Sequence, residues 1–115
     1  MTIVLVTCSG VSNTGKLTTQ AAQTLMQRWP GRFIWTSVKK SAASLDEEIR
    51  GSDEVIVIEG CRDCCATKKL AGTNTGRYRH IITTDLGIEK NGMADVRFDE
   101  IETVVKAVTG LLQED

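Results

Sequence analysis

The apolar positions of the chain follow two patterns that alternate along its length. Short, continuous runs rich in β-branched residues are typical of buried parallel strands, and they occur at Thr2–Thr7, Arg32–Val38, Glu54–Glu59 and His80–Thr84. Between these runs, apolar residues recur at spacings of three and four, which is the period of one helix face. This second pattern predicts helices at Thr14–Trp29, from a Ser44 cap to Gly51, from an Asp63 cap to about Leu70, and from an Asp99 cap to about Leu112, with a polar loop at Thr73–Gly76.

The alternation of strand and helix predicts an α/β fold with a parallel sheet and right-handed crossovers. We expect a single domain over residues 1–115, a Rossmann-like three-layer sandwich whose roughly four strands have the order 2-1-3-4. In that order the first and third strands are neighbours, and the chain reverses direction between them. Ligands of such sheets bind at this switch point, beyond the carboxyl ends of the strands.

Size and charge exclude several classes of protein. A chain of 115 residues and 12.6 kDa has the length of one domain. Fourteen Lys and Arg against fifteen Asp and Glu give a net charge of -1, which argues against a basic nucleic-acid surface. The longest apolar run, Val55–Ile58, is far shorter than the roughly 20 residues of a membrane span. Because the N-terminus also has no basic, cleavable leader, we expect a cytoplasmic protein without nucleic-acid or membrane partners.

The four cysteines are the residues most suggestive of chemistry. In a chain without an export signal they do not indicate a disulfide framework, so metal binding or thiol chemistry is the better interpretation. Cys8 ends the first predicted strand and Cys61 follows the third, so the predicted strand order brings them to one crevice. Cys61 and Cys64 form a Cys-x-x-Cys turn, a spacing that lets two sulfurs reach one metal ion.

These positions predict a Zn²⁺ site at the switch point. Cys64 and Cys65 would point about 100° apart if both were helical, so one of them could be a packing residue instead of a ligand. The fourth ligand is then Cys65, Asp85 at the end of the fourth strand, or a water molecule. Glu59 is a candidate for a group that supports the ligands or carries a proton. The predicted metal residues are Cys8, Cys61, Cys64 and Cys65, with Glu59 and Asp85 as supporting groups or a possible fourth ligand.

An enzyme is the alternative to a metal-binding protein. Thiols at a helix start have a lowered pKa, because the N–H groups and the helix dipole favour the thiolate. A thiol-dependent oxidoreductase or transferase could therefore use Cys61 or Cys64 as its nucleophile. Its substrate would be a small anion bound on the loop that follows the first strand.

That loop resembles a phosphate-binding loop in part. Residues 10–16 have the spacing Gly-x-x-x-x-Gly-Lys between a strand and a helix, but Leu17 stands where the motif needs a Ser or Thr for Mg²⁺. This departure argues against nucleotide hydrolysis and leaves two interpretations, an anion site at a helix N-terminus and a tight turn. The candidate anion-binding residues are Ser9, Gly10, Ser12, Asn13, Thr14, Gly15 and Lys16.

Over most of its length the chain resembles the DGC domain family. The resemblance rests on residues 8–15 (CSGVSNTG), on residues 59–61 (EGC) followed by Cys64 and by Lys68 and Lys69, and on residues 84–88 (TDLGI). The family is named for Asp-Gly-Cys, and this chain has Glu59 in place of the Asp. The resemblance implies zinc binding by the cysteines, an inference that in the family itself comes from the cysteine pattern. It implies no particular reaction.

Overall fold

The computed structural model describes residues 2–39, 41–71 and 78–113. The predicted polar loop at Thr73–Gly76 lies outside these residues. The elements are β1 (Ile3–Thr7), α1 (Asn13–Arg28), β2 (Phe33–Ser37), α2 (Ala42–Arg50), β3 (Glu54–Glu59), α3 (Cys65–Leu70), β4 (Arg79–Ile82), a 3-10 turn (Thr83–Leu86) and α4 (Phe98–Gln113). Within the described ranges, no helix has both the length and the apolar character needed to cross a bilayer.

The four strands form one parallel sheet in the order β2-β1-β3-β4, which confirms the predicted fold class and strand order. Thr7, the last residue of β1, pairs with Ser37 of β2 and with Ile58 of β3. The carboxyl ends of these three strands are therefore level with one another. Cys8, which follows β1, and Glu59, the last residue of β3, are therefore brought to the same edge of the sheet.

Alternate residues of the central strands face two separate apolar layers, and the helices cover both. On one face, residues of β1 and β3 pack against α1 and α4, with Leu17, Leu25 and Val104 fully buried. On the other face, the remaining strand residues pack against α2 and α3 through Leu45 and Leu70. Since β1 and β3 are buried on both faces, they read in the sequence as continuous apolar runs.

The helices α2 and α4 begin two or three residues earlier than predicted. Ser41, not Ser44, is the N-cap of α2, and its hydroxyl accepts the N–H of Ser44 at 3.2 Å. Ser41 and Ser44 are both possible caps. Ser44 was predicted because Glu47, three residues later, completes the sequence pattern of a capping box. At α4 the N–H of Arg97 donates to the Glu100 carboxylate at 2.9 Å. The helix is therefore capped two residues before the predicted cap, Asp99.

Candidate functional site

The ends of β1 and β3 meet at Cys8. Its backbone N–H donates to the carbonyl of Ile58 at 3.3 Å, which continues the pairing of the two strands by one residue. Its sulfur accepts the N–H of Gly60 at 3.2 Å. Gly60 directly precedes Cys61, so the structure places the sulfur of Cys8 against the peptide that leads into the Cys-x-x-Cys turn.

The turn itself is closed by a hydrogen bond from the Cys64 N–H to the Cys61 carbonyl, at 3.3 Å. Cys64 has a φ of 51°, a left-handed conformation that is uncommon for a residue with a Cβ. It caps α3 without a side-chain hydrogen bond, and its side chain is half-buried. Cys65 is the first residue of α3 and is exposed, so the alternative that it packs in the core is wrong.

Glu59 has a structural task that its position in the sequence did not suggest. Its side chain is only 1% exposed, and both carboxylate oxygens are hydrogen-bonded. Oε1 accepts the N–H of Ala66 at 3.1 Å, and Oε2 accepts the N–H of Thr67 at 2.8 Å and its hydroxyl at 2.7 Å. Glu59 thus caps α3 from the end of β3, where the helix dipole favours a negative charge. Asp63, the predicted cap of this helix, is exposed.

The charges around Cys64 favour its neutral thiol. Burial is the largest cause that raises its pKa, and the nearby Glu59 carboxylate and Cys61 sulfur raise it further. Lys68 and Arg62 lower it by smaller amounts. Burial and the two neighbouring negative groups therefore raise the pKa of Cys64, and the expectation that the helix start lowers this pKa is wrong.

Two basic residues border the turn. The Arg62 guanidinium lies 2.7 Å from the Asp85 carboxylate, so the candidate fourth ligand Asp85 is engaged in an ion pair. The Lys90 ammonium lies 3.8 Å from the sulfur of Cys61 and 4.0 Å from the Asp63 carboxylate. Lys90 was not among the predicted site residues. Its position after β4, at the same edge of the sheet as the cysteines, could have indicated that it lies near them.

The donor set suits a soft cation, but it is not arranged as a metal centre. No group of three or more His, Cys, Asp or Glu side chains within residues 2–39, 41–71 and 78–113 is disposed to hold a metal ion. Three thiols nevertheless border one turn, those of Cys8, Cys61 and Cys64, and thiolates are preferred ligands of Zn²⁺. Glu59 is not available to this set while it caps α3.

The loop after β1 uses much of its own hydrogen-bonding capacity. Ser12 caps α1, because its hydroxyl accepts the N–H of Gly15 at 3.2 Å and its carbonyl accepts that of Lys16 at 2.9 Å. The N–H of Asn13 donates to the carbonyl of Gly92 at 2.8 Å. Three of the amides that would cradle an anion at this helix N-terminus therefore already have partners in the protein.

The same loop packs backbone against backbone. A Cβ on Gly15 would lie 2.6 Å from atoms of Gly10, and one on Gly60 would lie 3.0 Å from Thr14 and Gly15. The start of α1 is therefore in direct contact with the peptide that leads into the Cys61 turn. This close approach requires glycine at position 15 and favours it at position 60, as a tight turn would.

No curated protein and no solved structure matches the chain. A family model described as the DGC domain matches residues 4–108, which include every cysteine and all of the sheet except Ile3, the first residue of β1. Because this match covers nearly the whole sequence, the chain belongs to the DGC domain family.

Proposed function

We propose that this protein binds Zn²⁺ at the carboxyl edge of its sheet through Cys8, Cys61 and Cys64. The observation that carries the proposal is the hydrogen bond from the Gly60 N–H to the Cys8 sulfur, at 3.2 Å. It joins a cysteine of one strand end to the Cys-x-x-Cys turn of the neighbouring strand end. Cysteine sulfurs are ligands of structural zinc sites, and the Cys61–Cys64 spacing is one that such sites use.

The electrostatics support a site that is loaded by exchange of protons for metal. In the metal-free protein the raised pKa keeps the Cys64 thiol protonated. A bound Zn²⁺ supplies the positive charge that stabilises thiolates, so loading would release protons. Lys90 beside Cys61, together with Arg62, would offset the remaining negative charge of three thiolates. Arg62 and Asp63 of the turn are exposed and Cys61 and Cys64 are half-buried, and the proposal requires the two cysteine side chains to reorient toward one ion on loading.

Cys65 and Asp85 are candidates for the fourth ligand, and they differ in the interactions that each would have to give up. Cys65 is exposed and forms no hydrogen bond with the part of the chain that the structure describes, but it lies in α3, after the turn that holds Cys61 and Cys64. Asp85 would have to give up its ion pair with Arg62, which is largely exposed and therefore worth roughly 0–1 kcal/mol. A water molecule in the fourth position would leave the site open to a substrate.

The direct test is the metal content of the protein purified without added zinc. We expect about one equivalent of Zn²⁺ per chain, and a loss of most of it in Cys61→Ser and Cys8→Ser, because each removes one of three protein sulfurs. Elemental analysis of the purified variants gives this number. Below about 0.2 equivalents of any transition metal in the unsubstituted protein, the proposal would have to be abandoned.

Cys65→Ser is the matched control, because it removes a sulfur one position away from Cys64. If Asp85 or water completes the site, Cys65→Ser retains its zinc and Asp85→Asn distinguishes the remaining two cases. If Cys65 is the fourth ligand, the Cys65→Ser variant loses zinc as Cys61→Ser does. Retention of full zinc by both Cys61→Ser and Cys8→Ser would contradict the proposed site.

A second candidate function is a thiol-dependent oxidoreductase or transferase that uses Cys61 or Cys64. The contact that favours it is the Lys90 ammonium at 3.8 Å from the Cys61 sulfur, since reactive cysteines lie beside cations. Alkylation of the metal-free protein distinguishes the two functions. An enzyme of this type predicts that Cys61 reacts faster than the more exposed Cys65, and that Lys90→Gln abolishes the difference.

A further inference from the structure

A cavity lies beside the start of α1, on the side of β1 that faces β2. Its volume is about 540 Å³, which is within the usual range of small-molecule sites. Residues from α1 and from the carboxyl ends of β1 and β2 line it, among them Ser9, Lys16, Thr19, Trp35 and Lys39. None of the four cysteines lines it, so it is a feature separate from the proposed zinc site.

A chain of hydrogen bonds orients one hydroxyl of this cavity. Trp35 Nε1 donates to Thr7 Oγ1 at 2.9 Å, and Thr19 Oγ1 donates to Ser9 Oγ at 3.0 Å. The chain is completed by a hydrogen bond between Thr7 Oγ1 and Ser9 Oγ. Thr7 is fully buried, and within the described part of the chain Ser9 is the acceptor available to its proton, so Thr7 donates to Ser9.

With the hydrogen bonds in this direction, the O–H group of Ser9 has no acceptor among the described residues. Its Oγ accepts from two hydroxyls, and no acceptor for its own O–H occurs among the residues that the structure describes. A hydroxyl has one donor and two acceptor positions, so both acceptor positions of Ser9 are filled and its donor is left over. Because Ser9 lines the cavity, that donor is available to a ligand there.

The charged side chains that line the cavity indicate that its ligand is an anion. Lys16 and Lys39 both line it, and no acidic residue does. In residues 2–39, 41–71 and 78–113, neither ammonium forms an ion pair with a carboxylate. Two unopposed cations and a free hydroxyl donor are groups that bind an oxyanion, either a phosphate or a carboxylate.

The remaining lining gives the shape of the ligand. The Trp35 indole is held in place through its hydrogen bond to Thr7, and it supplies an aromatic surface. Gln20 and Gln23 add amide groups that can donate and accept. We propose that this groove binds a small anion with a flat ring, its phosphate or carboxylate on Ser9, Lys16 and Lys39 and its ring beside Trp35.

The proposal goes beyond zinc binding and changes how the loop after β1 is interpreted. The amides of Asn13, Gly15 and Lys16 are already used, so the loop would contribute side chains instead of a backbone cradle. The ligand would consequently lie on the β2 side of the loop. Metal loading and anion binding would be separable properties of the protein.

Fluorescence of Trp35 gives a direct test, in a Trp29→Phe background that removes the other tryptophan. The probes are phenyl phosphate, adenosine 5′-monophosphate and benzoate, with inorganic phosphate as the ring-free control and phenol as the uncharged control. We expect a saturable change with at least one ring-bearing anion, at least tenfold weaker binding for its matched control, and weaker binding at high salt. The preferred probe distinguishes a phosphate from a carboxylate ligand.

Variants assign the effect to the groove. Lys16→Ala and Lys39→Ala should each weaken binding of the preferred probe about tenfold, and Ser9→Ala about fivefold. Lys106→Ala, on the exposed face of α4, is the matched control and should bind as the parent does. The zinc content of all four variants should equal that of the parent. The proposal is overturned if no ring-bearing anion saturates the signal below roughly 5 mM, or if both groove lysine variants bind the probe unchanged.

Discussion

Replacing Glu59 with alanine is expected to lower the free energy of unfolding by about 3–5 kcal/mol, even in metal-free protein. The substitution removes one acceptor each for the N–H groups of Ala66 and Thr67 and for the Thr67 hydroxyl. It also leaves a cavity where a fully buried side chain stood. Urea denaturation in the presence of a chelator measures this loss without a contribution from bound metal.

Glu59→Gln separates the capping role from a role toward metal. Glutamine keeps the size and one acceptor oxygen, but its NH₂ group faces a donor where the second oxygen accepted two hydrogen bonds. We expect a loss of about 1–3 kcal/mol. Glu89→Gln, at an exposed position after β4, is the matched control and should change stability by less than about 0.5 kcal/mol. Unchanged stability of metal-free Glu59→Gln, together with lost zinc, would show instead that Glu59 acts as a metal ligand.

Glu59 also illustrates which part of the site the sequence could predict. The apolar runs at β1 and β3 were sufficient to place Cys8 and Cys61 at one edge of a parallel sheet, since topology alone dictates that arrangement. The partners of a buried carboxylate depend on where the next helix begins in space. Glu59 and Thr67 are eight positions apart on different elements, so no local capping rule connects them.

The groove beside β2 was predictable to a smaller extent. Lys16 belongs to a recognised motif, whereas Lys39 and Trp35 come from another strand end and carry no motif. Their contribution depends on the register of β1 and β2, which sets Thr7 beside Ser37 and lets the Trp35 indole reach Thr7. Sequence patterns give the order of strands more readily than the side-chain hydrogen bonds between them.

The close approach of Gly15 to Gly10, within the loop after β1, gives the second large effect. Gly15→Ala is expected to destabilise the protein by more than about 3 kcal/mol, or to prevent folding, because its Cβ would lie 2.6 Å from the backbone of Gly10. A rigid backbone on the other side of the contact cannot yield as a flexible side chain would. The displaced loop carries Cys8 and Ser9, so zinc content and anion binding should both fall in any Gly15→Ala protein that folds.

Alanine substitutions at two other glycines give an expected order of stability, which measured free energies of unfolding can contradict. Gly60→Ala places a Cβ 3.0 Å from Thr14 and Gly15, so a smaller loss of about 1–2 kcal/mol is expected. Gly110→Ala lies within α4 and meets no atom within 4 Å, so alanine should stabilise the protein by about 0.5–1 kcal/mol through its helix propensity. Equal stability of Gly15→Ala and Gly110→Ala would contradict the close packing within the loop after β1, and equal stability of Gly60→Ala and Gly110→Ala would contradict the approach of that loop to the peptide before Cys61.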